Sequence, residues 1–182
     1  FRMPSFFHFE PNFIDSAMEA QLIQLCTSEC KANYARYGRL AAQYGQEYNF
    51  RNRTTHNLQP LLDTLPMLFY RVWHYIWLRT GYRATQCLIL HYMVGHGIGF
   101  HKDDYDLPGV VIGISLGSES VIEFRRHKPP VAQHETDWFN FGLPRCSVYI
   151  FRGDLRHHWY HSVLHGSNPH ERIVMTFRAP EI

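Results

Sequence analysis

The stretch Arg172-Ile173-Val174-Met175-Thr176-Phe177-Arg178 decides the fold. Its residues alternate, with Ile173, Met175 and Phe177 on one side and Arg172, Val174, Thr176 and Arg178 on the other, the period of a β-strand rather than a helix. Both arginines therefore share a face. Working outward, short strand-like runs fill the C-terminal part: Gln86 to Met93, Val110 to Gly117, Ser120 to Arg125, Cys146 to Arg152 and Trp159 to Leu164. Gly and Pro clusters separate them. Many short strands without alternating helices point to a sandwich or jelly roll, not a parallel α/β sheet.

Toward the N-terminus the texture is different. Ser16 with Glu19 fits a capping box, and Met18, Leu22, Leu25 and Cys26 recur at helical spacing, predicting a helix over about residues 17 to 31. Pro60 and Pro66 lead into a second helix near 67 to 79, where Phe69, Val72, Trp73, Ile76 and Trp77 form a core-facing apolar stripe. Residues 33 to 60 are polar and rich in Tyr, Arg and Asn without a clean period, so they read as surface loops and short strands that could form a lid. The expectation is one α+β domain over 1–182, with helices and lid in 1–85 and the jelly-roll core in 86–182.

Composition fits that size. The chain has 182 residues, 45% hydrophobic and 15% aromatic, which excludes a disordered tail. Charged residues interrupt every apolar run before membrane-spanning length, so no membrane association is expected. A net charge of +2 is too slight to announce nucleic acid. Cys26, Cys30, Cys87 and Cys146 lack a C-x-x-C pair and read as buried thiols of a reducing compartment, an intracellular setting in cytoplasm or nucleus.

The chemistry lies in His101-Lys102-Asp103 and His161. A His and an Asp two apart on an extended chain project to the same side, and a distal His completes a set of three ligands. Two imidazoles and one carboxylate on one face of a metal leave positions open, the arrangement of non-haem Fe(II) oxygenases rather than of a closed structural zinc site. His157, His158 and His165 crowd the segment around His161, and motif context selects His161. The usual co-substrate of such a centre is 2-oxoglutarate, whose far carboxylate suits the planar fork of Arg172. Arg178 stands about 20 Å further along the strand by rise, and is expected to orient Asp103 or neutralise charge near the metal.

Together, His101-x-Asp103, Trp159-Tyr160-His161-Ser162-Val163 and the Arg-x5-Arg strand ending in Thr-Phe-Arg resemble the AlkB-type Fe(II)/2-oxoglutarate dioxygenases. Further matches are Phe13-Ile14-Asp15, Tyr44-Gly45-Gln46-Glu47-Tyr48, Tyr92, and Ile114-Ser115-Leu116-Gly117. The resemblance implies a double-stranded β-helix core with an N-terminal nucleotide-recognition lid. It makes His101, Asp103 and His161 the Fe(II) ligands and Tyr92, Arg172 and Arg178 the 2-oxoglutarate contacts. It also implies oxidative demethylation of alkylated DNA or RNA, presented single-stranded or as a flipped base, by a monomer.

Two positions depart from the family pattern. Leu90 replaces an Asn that usually bonds 2-oxoglutarate, and Tyr105 stands where an acidic residue is common. Tyr105 could stack on a base, as could Tyr48, Tyr34, Tyr37 and Tyr44. Arg125-Arg126-His127-Lys128, with Arg152 and Arg156, could hold a phosphate backbone or form a solvated hairpin tip. Competing readings are a 2-oxoglutarate-dependent hydroxylase of a protein side chain or of a tRNA modification, and a non-catalytic nucleic-acid-binding module of the same fold.

Overall fold

A computed structural model describes residues 5–30, 39–49, 52–130 and 137–182. Tyr34 and Tyr37 lie outside these residues. In chain order the elements are β1 (Phe7–Glu10), α1 (Ser16–Glu29), β2 (Arg39–Asn49), β3 (Thr54–Leu58), α2 (Leu61–Thr64), α3 (Met67–Thr80), β4 (Gln86–Tyr92) and β5 (Ile98–His101). They continue as β6 (Val110–Leu116), β7 (Ser120–Arg125), β8 (Trp138–Leu143), β9 (Val148–Phe151), α4 (Gly153–His157), β10 (Tyr160–Val163) and β11 (Arg172–Ala179). Two antiparallel sheets result: a seven-stranded one in the order β1-β9-β6-β11-β4-β2-β3, and a four-stranded one in the order β5-β10-β7-β8. This is the jelly-roll arrangement expected from the strand pattern.

The alternation along β11 explains the layering. Ile173, Met175 and Phe177 join Cys87, Ile89, Ile112 and Ile114 in an apolar layer against Leu22 and Cys26 of α1 and Phe69, Val72, Trp73 and Ile76 of α3. On the opposite face Val174 packs with Tyr92, Val111, Tyr149 and Phe151, and with Ile122, Phe124 and Phe139 of the small sheet. Each fully buried aliphatic or aromatic side chain stabilises the fold by about 1.5–3 kcal/mol, so the two layers together bind helices and small sheet to the large one. α3 ends where Gly81 adopts φ 77°, a left-handed cap suited to glycine. Trp73 Nε1 donates to Ala84 O at 2.9 Å and fixes the turn into β4.

Two expectations from the N-terminal half need correction. The cap of α1 is Asp15, whose Oδ1 accepts the Met18 N–H at 2.7 Å, rather than Ser16. Glu19 turns away from the helix end, accepts the Gly117 N–H at 3.1 Å, and pairs with Arg145 Nη2 at 2.5 Å. Burial opposes ionisation of Glu19, but Arg145 and the Gly117 N–H outweigh it and hold its carboxyl below the usual range. It clamps α1 to the sheet.

Residues 39 to 49 are not surface loop. They form β2, paired over Arg39 to Gly45 with β4, in register Arg39↔Tyr92 through Gly45↔Gln86, and over Gln46 to Asn49 with β3. Ala41, Ala42, Tyr44 and Tyr48 are buried. Leu40, Ala42 and Tyr44 face the helices and alternate with Arg39, Ala41 and Gln43 on the other side, a short run of strand period that Gly45 and Gln46 interrupt. Gly45 has φ +76°, and a Cβ there would lie 2.6 Å from Thr85 O, which explains the glycine. All four cysteines are free, and burial raises their thiol pKa values, Cys30 to about 12. No described helix is long and apolar enough to cross a membrane.

Candidate metal and co-substrate site

β5 and β10 are neighbours in the small sheet, and His161 lies directly opposite His101. Their ring centroids are 4.2 Å apart. Asp103 follows the end of β5, and its Oδ1 stands 3.6 Å from His101 Nε2 and 3.7 Å from His161 Nε2. One donor atom from each of the three residues lies within 4.8 Å of the others, the one such cluster of His, Cys, Asp and Glu among the described residues. The structure thus brings together the three residues that spacing selected.

The surroundings prepare these side chains for a cation. His101 Nδ1 is 2.8 Å from Gly99 O, which directs Nε2 at the cluster. His161 is packed between Phe124 and Phe151 at 5.9 and 5.0 Å between centroids. Burial, and then the adjacent His101, pushes its pKa down to about 3. Burial likewise lowers His101, with Arg178 and Arg39 adding to the effect. Both imidazoles are therefore neutral at pH 7, the form that binds a metal. For Asp103 burial alone would favour the protonated acid, but Arg178 above all, and then the two histidines, hold it well below the usual carboxylate range.

Arg178 has a definite role in this geometry. Its Nε and Nη2 both meet Asp103 Oδ2 at 3.0 Å, while Nη1 donates to Gln86 Oε1 at 2.8 Å. One carboxylate oxygen is thus held by the guanidinium and the other faces the two imidazoles. Gln86 in turn donates to Gln46 O at 3.0 Å, tying the arrangement to β2.

Arg172 lies fully buried at the opposite end of the same strand face. Its Nη2 donates to Ser115 Oγ at 2.9 Å, whereas Nε and Nη1 are buried without a hydrogen-bond partner. Its guanidinium carbon is 5.8 Å from the centroid of Tyr92, the residue opposite it in β4. Tyr149, whose ring fills the space a Cβ on Gly113 would need, also stands beside Arg172. Burial keeps both phenols protonated. A buried cation with two unmet donors is costly, and it is chemically matched to a carboxylate arriving from outside. The pocket thus fits a metal at one end and a dicarboxylate anchor at the other.

Other residues fall differently from expectation. Arg156 is 1% exposed and donates to the carbonyls of Asp103, Asp104 and Leu107 at 3.0, 2.7 and 3.2 Å, so it braces the loop after β5 and cannot bind phosphate. Its basic charge gave no sequence sign of this buried task. Tyr105 is 74% exposed on that loop, stacked on His157 at 5.6 Å and 10°. Tyr48 is buried, with its backbone N–H and C=O held by the Gln43 side chain at 2.8 and 3.0 Å. Tyr44 is buried too, bonded to Glu29. Arg125 and Arg126 pair with Glu123 and Asp154. Tyr149 and Ser115 were missed as site residues because each sits in a strand whose two faces are both buried, and Arg39 because the polar segment that holds it read as surface.

Comparison with known proteins agrees with the site. A relative from Acanthamoeba polyphaga mimivirus, uncharacterized protein L905, is 29% identical over 147 residues, covering 73% of this chain and 68% of the relative. The structure is similar to that of OsALKBH1, with a TM-score of 0.70, 16% identity, and coverage of 97% of this chain and 99% of that one. A Pseudomonas putida prolyl-4-hydroxylase is similar at a TM-score of 0.57 and 14% identity, over 97% and 94% of the two chains. The model of the 2OG-Fe(II) oxygenase superfamily matches residues 11–178, nearly the whole chain, and this protein belongs to that superfamily, with Fe(II) and 2-oxoglutarate as its cofactors.

Proposed function

We propose that this dioxygenase removes N-alkyl groups, N-methyl above all, from nucleobases of DNA or RNA offered as single strands or flipped bases. His101, Asp103 and His161 hold the iron, and Arg172 with Tyr92 anchors the far carboxylate of 2-oxoglutarate. With iron and 2-oxoglutarate bound, the centre would activate dioxygen, one oxygen atom passing into succinate as the oxoacid loses carbon dioxide and the other into the C–H bond; the resulting N-hydroxymethyl group then falls apart to the free base and an aldehyde. Everything else is binding and orientation by the chain. Arg178 keeps Asp103 ionised and turned toward the imidazoles. Phe124, Phe151 and Val174 keep bulk water from the inner face of both sheets.

The observation that carries this reading is the pair of inward arginines on β11, one gripping the carboxylate ligand and one left with open donors. The match in overall shape to OsALKBH1, closer than that to the prolyl-4-hydroxylase, supports a nucleobase over a prolyl side chain. Tyr105, exposed two residues beyond Asp103 and backed by His157, offers a flat face on which an extruded base can stack. Tyr48 contributes as part of the hairpin scaffold. The monomeric state and an intracellular location belong to the same proposal.

The test is turnover on a panel of methylated DNA and RNA oligomers with Fe(II) and 2-oxoglutarate, reading succinate and the base mass together. Demethylation coupled to succinate is expected. Succinate release only with a proline-containing peptide would replace the substrate class, and base binding without succinate would indicate a non-catalytic module.

A further inference from the structure

Strand β2 brings a further arginine to the pocket. The register pairs Arg39 directly opposite Tyr92, and Tyr92 directly opposite Arg172, so the three residues form one row across β2, β4 and β11. Directly opposed residues on one face have Cβ atoms about 4.5–5.5 Å apart. The Arg39 guanidinium hydrogen-bonds the Tyr92 hydroxyl, and its Nη1 is buried. Its charge also acts on His101. Two guanidiniums thus flank Tyr92, Arg39 at its hydroxyl and Arg172 with its guanidinium carbon 5.8 Å from the ring centroid, a pair of like charges that an anion between them would join.

The position relates to Leu90. That residue faces the same side as Tyr92, two residues away on β4, and lies opposite the short Ala41. Arg39 is therefore its diagonal cross-strand neighbour, about 7–8 Å away between side-chain roots and well within reach of a long side chain. Leucine cannot bond an oxoacid. A guanidinium arriving from the adjoining strand can.

We propose that Arg39 is a positioning residue of the co-substrate pocket, binding a carboxylate of the 2-oxo dicarboxylic acid beside Tyr92 and Arg172 in place of the amide absent at Leu90. The inference rests on the assignment of Arg172 as the carboxylate anchor. It assigns the oxoacid two inward guanidiniums from different strands, where the motif reading drew both, Arg172 and Arg178, from one strand.

Calorimetric titration of 2-oxoglutarate into the Mn(II)-loaded protein tests it without turnover. Arg39→Met should weaken binding at least tenfold and Arg39→Lys less, with Mn(II) affinity, read separately by its paramagnetic signal, within twofold of the parent. Adding Leu90→Asn to Arg39→Met should recover part of the loss. The proposal is overturned if Arg39→Met binds within twofold of the parent. It is also overturned if Arg39→Met adds no loss to Tyr92→Phe, since Arg39 would then act only by orienting the phenol. Should Arg39→Met fail to fold, Arg39→Gln carries the same comparison, and 2-oxoglutarate affinity within twofold of the parent in that variant overturns the direct contact. A parent protein that binds no 2-oxoglutarate, or Arg172→Met binding it as well as the parent, rejects the anchor assignment itself and is recognised as such.

Discussion

Replacing Arg178 with Met separates the metal-site electrostatics from the packing of β11. In the metal-free protein Asp103 is buried, its side chain 5% exposed, and its Oδ2 is held by two guanidinium nitrogens at 3.0 Å. Removing one partner of a buried ion pair costs about 3–5 kcal/mol, because the remaining charge is left uncompensated. Gln86 Oε1 loses its 2.8 Å donor as well. Against a total stability of about 5–15 kcal/mol for a domain, that is about a fifth of the whole at the least. For a chain of this length each 1 kcal/mol shifts Tm by roughly 2–4 °C, so a fall of about 6–20 °C is expected. Met keeps most of the aliphatic bulk, which limits the contribution of a cavity. A divalent cation at His101, Asp103 and His161 supplies a substitute positive charge, so Mn(II) should restore a large part of the loss. Urea unfolding at pH 7.5, with chelator and with Mn(II), measures both quantities. A metal-free loss under about 1 kcal/mol, or an equal loss with and without Mn(II), would refute the claim that Arg178 acts through the Asp103 carboxylate.

Arg172→Met should leave the metal-free protein as stable as the parent or more so, since it removes a buried cation with two unmet donors, while lowering 2-oxoglutarate affinity at least tenfold by calorimetry. The pH dependence has a definite sign. His161 has a folded pKa of about 3, below the unfolded value near 6.5, so the unfolded chain binds more protons and stability falls as pH drops from about 6.5 toward 3. Asp103, also depressed, adds loss in the same direction below about pH 4. Thermal melts of the metal-free protein across that range check it, and a flat profile would contradict a buried neutral His161. Gly45→Ala should cost about 1–3 kcal/mol, because the backbone has φ +76° and the added methyl meets Thr85 O at 2.6 Å; an unchanged melting temperature would show that the β2 turn relaxes freely.

What the sequence revealed follows a physical rule. β11 could be read because its two faces differ in kind, apolar toward the helices and arginine-bearing toward the pocket. His101 and Asp103 could be read because two ligands on one short segment share a side of an extended chain. β2 could not, since its alternation of Leu40, Ala42 and Tyr44 with Arg39, Ala41 and Gln43 is short and is broken by Gly45 and Gln46 within a polar stretch. Arg39 was hidden with it. β1, β3 and β8 escaped notice for a related reason: they are short and lie at or next to a sheet edge, where pairing rather than side-chain pattern defines them. Glu19 and Arg156 show the opposite failure. Each matched a familiar local use, a capping box or a phosphate contact, but burial turned both inward to satisfy backbone groups far away in the chain. A single residue's chemistry does not reveal whether it faces water.

The division of labour between the sheets explains why the metal chemistry is more firmly specified than the choice of substrate. His101 and His161 come from adjoining strands of the small sheet, and Arg172, Arg178 and Tyr92 from adjoining strands of the large one. Cross-strand hydrogen bonds fix those positions, so the ligand set follows from register. Tyr105 stands instead on the loop after β5, whose carbonyls are held by the fully buried Arg156. That brace presents the loop at a set height above the iron site while leaving the Tyr105 side chain exposed against His157. An aromatic there favours stacking on the face of a base, whereas an acid would bond its edge or meet its positive charge. On the nucleobase substrate proposed above, exchanging Tyr105 for Asp should accordingly change which methylated base in an oligomer panel is turned over, without altering 2-oxoglutarate affinity, since no strand of the anchor is touched.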